Sequence, residues 1–324
     1  MSSWSAPRTR VTVSSRRASV PSCALILVSA LLLLPSASFA TPSQGKTQVA
    51  FVRFAPKAGR LRILTGALDG GPRRTLRVPI SDVQGPSWSP DGRRIAFIGG
   101  NGVRESGVVA NDVDLYVSRR DGRRVRRITR DALREAAPAW SPDGKTLVFV
   151  RYGSRGNRST LRLVGADGSN PRQLTSGNVD LQPSWSPDGR RIVFVRISAT
   201  YESRIWAVRP DGTGLRRILP EIAGATQPVW APDGSRLLLT DGQALFTVRP
   251  DGRGRREVTR LTSDARGGRV DPQPDWSRSG WIVFCQLRPG ALERSDVWRV
   301  RPDGSRLQRV TRSPGLDSEP SVRP

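Results

Sequence analysis

The chain has 324 residues, 36% of them hydrophobic, and a formal charge of +25 from 53 basic against 28 acidic residues. It contains no histidine, which excludes Ser-His-Asp and Cys-His catalysis and any histidine metal site. All but three of the basic residues (Lys46, Lys57 and Lys145) are arginine; a GC-rich coding sequence accounts for that bias, and the alternative is an anionic partner.

Residues 1–40 read as an export signal. Arg8, Arg10, Arg16 and Arg17 form a basic start, Ala24–Leu34 is an apolar run, and Ser38-Phe39-Ala40 is a small-x-small site with cleavage expected after Ala40. The run is short for a spanning helix, so no membrane span is expected after cleavage. Ser15-Arg16-Arg17 is a weak twin-arginine match, which leaves the export route open. Residues 41–47 read as a short linker. Beyond them stands one cysteine, Cys285, in the apolar run from Trp281; a buried core thiol is expected, with no disulfide.

From residue 48 onward the chain repeats itself. The first apolar strand, Gln48–Phe54, leads towards the turn Asp69-Gly70. Then Pro86-Ser-Trp88-Ser-Pro-Asp-Gly92 recurs around Trp140, Trp185 and Trp230, and in degenerate form around Trp276. The tryptophans are 52, 45, 45 and 46 residues apart, the period of one four-stranded propeller blade. After each Trp-bearing strand come an Asp-Gly-type turn, an apolar strand such as Ile95–Ile98 or Ile192–Val195, and a polar loop. A third strand then leads to a second Asp-Gly turn. A fourth short strand ends in a pair such as Ile128-Thr129 or Leu174-Thr175. Asp tolerates positive φ and Gly adopts it freely, so each unit reads as an antiparallel meander. The longest insertion, Gly99–Asp114, and the loop Tyr152–Thr160 mark the variable rim.

Six second turns stand against five Trp-bearing strands. Glu319-Pro-Ser-Val322 lines up with Gln182-Pro-Ser-Trp185. The C-terminal strand 319–322 is therefore expected to complete the first blade. The expected fold is all-β: a six-bladed β-propeller over 48–324, closed by its last strand, without exposed sheet edges.

The repeated Trp-Ser-Pro-Asp-Gly turn, its period and the split first blade resemble the TolB β-propeller family. The resemblance covers about residues 46–324. It implies an exported envelope protein that works by binding, with a Pal-like protein as a possible partner. It also implies that the smaller N-terminal domain of TolB is absent here, which separates this chain from the full TolB role.

Many of the acidic residues lie in Asp-Gly turns. A second set does not: Glu135, Asp180, Asp271 and Asp317 each stand three residues before the Pro of a first strand, and Asp82 lies beside the matching Val83. At the entry to the innermost strand these acids would ring one mouth of the channel. They would either cap their own loops or receive a cation, an ammonium group or a basic peptide. Trp88, Trp140, Trp185, Trp230 and Trp276 read as blade core, as do Trp206 and Trp298. The arginine pairs after the turns read as solvated edge faces, spread around the ring. No cofactor, metal or nucleic acid is expected, and the propeller is expected to be a monomer. The leading reading is non-catalytic protein binding at one funnel mouth. The alternatives are an anionic or carbohydrate wall polymer held by arginines, and a lyase or glycosidase using channel carboxylates.

Overall fold

Each apolar run forecast as a second strand becomes a strand buried along nearly its whole length, because neighbouring sheets cover both of its faces. The computed structural model describes residues 47–323, apart from 56–59, 81, 101–112, 155–156, 177–178, 263–270, 289–290 and 313–314. The expected leader, most of the linker, most of the Gly99–Asp114 insertion and part of the Tyr152–Thr160 loop therefore lie outside the described residues.

The strands form antiparallel four-stranded meanders. The second meander orders Gln84–Trp88, Arg94–Gly100, Val113–Arg119 and Arg126–Arg127 side by side. The third comprises Glu135–Trp140, Thr146–Tyr152, Ser159–Gly165 and Arg172–Gln173; the fourth comprises Val179–Trp185, Ile192–Ile197, Ser203–Val208 and Arg216–Arg217. One parallel bridge, Ser159 to Val179, joins these two into an eight-stranded sheet. The fifth comprises Thr226–Trp230, Leu237–Thr240, Ala244–Val248 and Arg256–Arg260. The sixth comprises Asp275–Trp276, Ile282–Arg288, Ala291–Val300 and Gln308–Arg309. The first meander is built from both ends of the chain. Gln48–Ala55, Arg60–Ala67 and Arg74–Thr75 are joined at the inner edge by Leu316–Val322, so that Val49 faces Val322 and Arg53 faces Asp317.

The largest fully buried side chains are phenylalanines, one to each meander: Phe51, Phe97, Phe149, Phe194, Phe246 and Phe284. Five stand on second strands; Phe246 stands on a third strand, directly across from Leu239 on the second. The aromatic volume is kept while its strand of origin changes. Each ring contributes about 1.5–3 kcal/mol by leaving water.

The apolar clusters lie between successive meanders. Trp88 packs with Val52 and Ile63 of the first meander, Trp140 with Ile98 and Leu115 of the second, and Trp230 with Val195 and Ile205 of the fourth. Trp185 and Trp276 pack backward in the same way but are only half-buried. Val322 packs with Val283, Cys285 and Val297 of the sixth meander. The last strand thus takes the position that tryptophan takes elsewhere, and Cys285 is buried there as a core thiol.

Two local expectations change in detail. In the first turns the aspartates are not among the positive-φ residues; only the glycines are, at 62° for Gly92 and 67° for Gly144. The Gly92 N–H donates to the Ser89 carbonyl at 2.8 Å. This is a turn followed by a left-handed glycine, not a two-residue hairpin with both residues left-handed. Serine explains why: its hydroxyl organises the loop. Ser141 Oγ accepts from the Thr146 N–H at 2.9 Å and donates to Asp143 at 2.5 Å, and Asp143 in turn accepts from the Lys145 N–H.

The second change concerns the fourth strands, most of which end before the apolar-Thr pair. The Ile128 N–H bonds the Leu115 carbonyl, and the Leu115 N–H donates to Thr129 Oγ1 at 2.9 Å. The threonine hydroxyl replaces a backbone acceptor, so the ladder gives way to side-chain bonding. Leu161 with Thr175 and Val297 with Thr311 repeat this arrangement.

Candidate functional site

The Asp-Gly turns lie at one end of the strands and the predicted acids at the other. Register fixes what the acids meet. Glu135 stands opposite Arg151, Asp180 opposite Arg196 and Asp317 opposite Arg53. Arg196 Nε donates to Asp180 Oδ1 at 2.7 Å and its Nη2 to Oδ2 at 2.9 Å. Arg53 grips Asp317 in the same two-pronged way, at 2.6 and 2.9 Å. Arg151 Nη2 donates to Glu135 Oε1 at 2.8 Å. All three carboxylates are buried. Two further bonds tie neighbouring meanders here: Ser159 Oγ donates to the Asp180 carbonyl and Ser295 Oγ to the Asp317 carbonyl.

Burial pushes the Glu135 carboxyl up to about 7, against the pull of the Thr129 hydroxyl and Arg151. The remaining two acids sit differently. Asp82 Oδ1 accepts a long bond from the Leu61 N–H, at 3.4 Å. Asp271 is exposed and has no hydrogen-bond or ionic partner among the described residues, and partial loss of water around it raises its carboxyl. The predicted residues thus share one end of the fold, yet three of the five are already charge-matched.

Sequence reasoning missed a second set at the same inner strands. The residue before each first-strand Pro is left-handed: Gly85, Ala137, Gln182, Gln227, Gln273 and Glu319 have φ between 43° and 60°. The ladder register shifts beside several of them, a β-bulge that turns the side chain away from the pleat. Each carboxamide then reaches the next meander. The Gln227 N–H donates to Gln182 Oε1 at 2.9 Å, the Gln273 N–H to Gln227 Oε1 at 3.0 Å, and the Glu319 N–H to Gln273 Oε1 at 2.8 Å. Glu319 Oε2 accepts from the Gly85 N–H. The chain of bonds stops where Gly85 and Ala137 lack a polar side chain. Its signal was present in the sequence as the recurring Gln-Pro dipeptide.

On the acid end, a notch of about 400 Å³ lies between the fourth and fifth meanders. Tyr201, Glu202, Arg204, Asp241 and Asp271 line it. Tyr201 is 90% exposed at φ 60°, held by a bond from its own N–H to the Ser198 carbonyl. A large aromatic displayed beside carboxylates has no role in packing, and it is the residue type that anchors protein contacts.

Of the arginine pairs, Arg190-Arg191 and Arg216-Arg217 are exposed as expected. Arg93, Arg94 and Arg124 instead converge on one groove at the turn end of the strands, which corrects the expectation of an even spread. Among the described residues no helix is long and apolar enough to cross a membrane.

The curated Tol-Pal system protein TolB of Anaeromyxobacter dehalogenans is 32% identical over 131 residues, 40% of this chain and 27% of its own length. The uncharacterized peptidase YuxL of Bacillus subtilis is 30% identical over 96 residues, only 14% of its length. The matched stretch thus spans well under a third of either relative. The crystal structure of TolB from Acinetobacter baumannii superposes with a TM-score of 0.70 at 18% identity, covering 86% of this chain and 67% of that one. The TolB beta propeller domain matches residues 28–279, the stretch that holds the five tryptophan turns, and the chain belongs to that family.

Proposed function

We propose that this chain is an exported, non-catalytic six-bladed propeller of the cell envelope that binds a protein partner at the acid end of its channel. The leader 1–40, cleaved after Ala40, would deliver it there. Each meander is taken as one blade of a single domain over 48–324, and the strand ending at Val322 as the latch that closes the ring. The placement of Val322 against the sixth meander and the Gln-to-backbone bonds running from blade to blade support that closure.

The observation that carries the binding reading is the Tyr201 notch with Asp271, which has no partner among the described residues. A basic segment carrying an apolar residue would set that residue on the Tyr201 ring and its charge on Asp271, Asp241 being already paired with Arg255. Glu135, Asp180 and Asp317 would then act as the frame of the mouth, since their charge is already matched by arginine. The relative named as a Tol-Pal system protein makes a Pal-type envelope protein the first partner to try.

Immobilised mature chain should bind such a domain saturably. Tyr201→Ala should weaken binding at least tenfold and Asp271→Asn severalfold, because hot-spot aromatics commonly contribute 2 kcal/mol or more. Affinity unchanged by both substitutions would overturn the mouth as the site. Envelope-extract pull-downs that recover nothing dependent on Tyr201 would overturn protein binding there.

A further inference from the structure

At the turn end of the strands the second meander and the C-terminal strand enclose a groove of about 690 Å³. Arg93, Arg94, Arg119, Arg120, Arg124 and Arg126 line it. Arg323 completes it, its side chain lying across the turn glycine Gly92, where a Cβ would overlap the guanidinium. Two aspartates face these seven cations. Both are committed to their own turns: Asp91 accepts from the Arg93 N–H and Asp121 from the Arg123 N–H.

Only Arg94 among the seven has a structural task. It lies over the Trp140 ring at 4.5 Å and donates to the Gly144 carbonyl at 2.8 Å. The other six guanidinium groups make no hydrogen bond or ion pair among the described residues. Gathering them raises the energy of the folded chain through mutual repulsion, and the two turn aspartates offset only part of it. A bound polyanion would. A second recess of about 740 Å³ shares Arg94 and Arg126 with the groove and adds Lys145 and Arg172 together with Asp143 and Asp167, so the track continues over the third meander without further net charge.

We propose that this track binds a linear polymer of repeating phosphate groups. Guanidinium forks match phosphate oxygens two at a time. The apolar lining of the groove is limited to Val117 and Ala166, too little for the apolar anchor that a protein segment needs. No aromatic side chain lines it, so bases would have nothing to stack on. The track is at the far end of the strands from the Tyr201 notch, so it stands or falls independently of the partner proposed there.

The test titrates the full mature chain with inorganic polyphosphate and, separately, with a poly(glycerol phosphate), with polyglutamate of matched charge as the carboxylate control. Arg120→Glu with Arg124→Glu should weaken binding to the phosphate polymer at least tenfold. Arg190→Glu with Arg191→Glu, on exposed arginines of the fourth meander outside both recesses, should change it less than twofold. Whichever phosphate polymer binds more tightly identifies the source. Equal losses in both double variants would overturn the site in favour of diffuse attraction by net charge. Polyglutamate bound as tightly as phosphate would overturn the phosphate assignment, and no binding by either phosphate polymer would overturn the proposal outright.

Discussion

At the scale of the residue, Glu135 shows how burial and pairing compete. Its neighbours Thr129 and Arg151 favour the carboxylate, but loss of water outweighs them and holds the carboxyl near 7. The consequence for stability has a definite sign. A carboxyl raised in the folded state keeps its proton there while the unfolded chain, at about 4.5, releases it. Folding is therefore favoured at low pH, and this contribution is lost as pH rises from about 4.5 to 7. Denaturant melts of the wild type and Glu135→Gln across that window should converge at acid pH and separate as it rises. The wild type should lose up to roughly 3 kcal/mol relative to the variant. Parallel curves would show that the Arg151 pair holds the carboxylate charged. Asp180 differs in kind: both its oxygens are gripped by one guanidinium, and removing Arg196 alone leaves a buried charge without its partner.

At the scale of the element, the first turn repeats with one natural deletion. Ser89, Ser141, Ser186 and Ser277 each use a hydroxyl to accept the N–H at the start of the second strand, and the fifth meander has Ala231 instead. There the Ala231 N–H still bonds the Arg236 carbonyl at 2.9 Å, so the backbone loop survives without the hydroxyl. Ser141→Ala should cost about 1–2 kcal/mol in chemical unfolding, since the Thr146 N–H loses its acceptor in a part-buried loop. Ala231→Ser should recover about 1 kcal/mol with the wild-type unfolding slope. A loss on Ala231→Ser would mean that the fifth turn has closed over the space the hydroxyl needs.

At the scale of the whole molecule, the two chain ends meet in one sheet. Leu316–Val322 covers the inner edge of Gln48–Ala55 and supplies Asp317 to Arg53, Glu319 to the Gly85 N–H, and Val322 to the last apolar cluster. Truncation after Arg312 should therefore do more than remove one strand. It exposes a sheet edge and leaves the Arg53 guanidinium without its carboxylate. The truncated chain should melt well below the wild type and self-associate in sedimentation. A monomer with the wild-type melting point would show that the fold does not depend on this strand. Val322→Ala is the milder probe, expected to cost about 2 kcal/mol from the buried methyl groups lost.

The sequence by itself determined the local chemistry and the repeat. Pro-Asp-Gly specifies its turn within a few bonds, the period counts the strands, and the alignment of Val322 with Trp185 anticipated where the last strand pairs. Those features were legible because they are short-range or recur at fixed spacing. Tertiary structure alone decided which acids are free. Nothing near Asp180 or Asp271 in the chain distinguishes them, yet one faces Arg196 across a strand pair and the other has no arginine partner among the described residues; strand register joins residues 16 apart. Tertiary structure also decided that Phe246 replaces a second-strand phenylalanine, that the Gln-Pro dipeptides bond from sheet to sheet, and that scattered arginines become one groove. Each of these depends on distances between separate sheets, and such distances are set by how apolar faces pack rather than by any local preference of the chain.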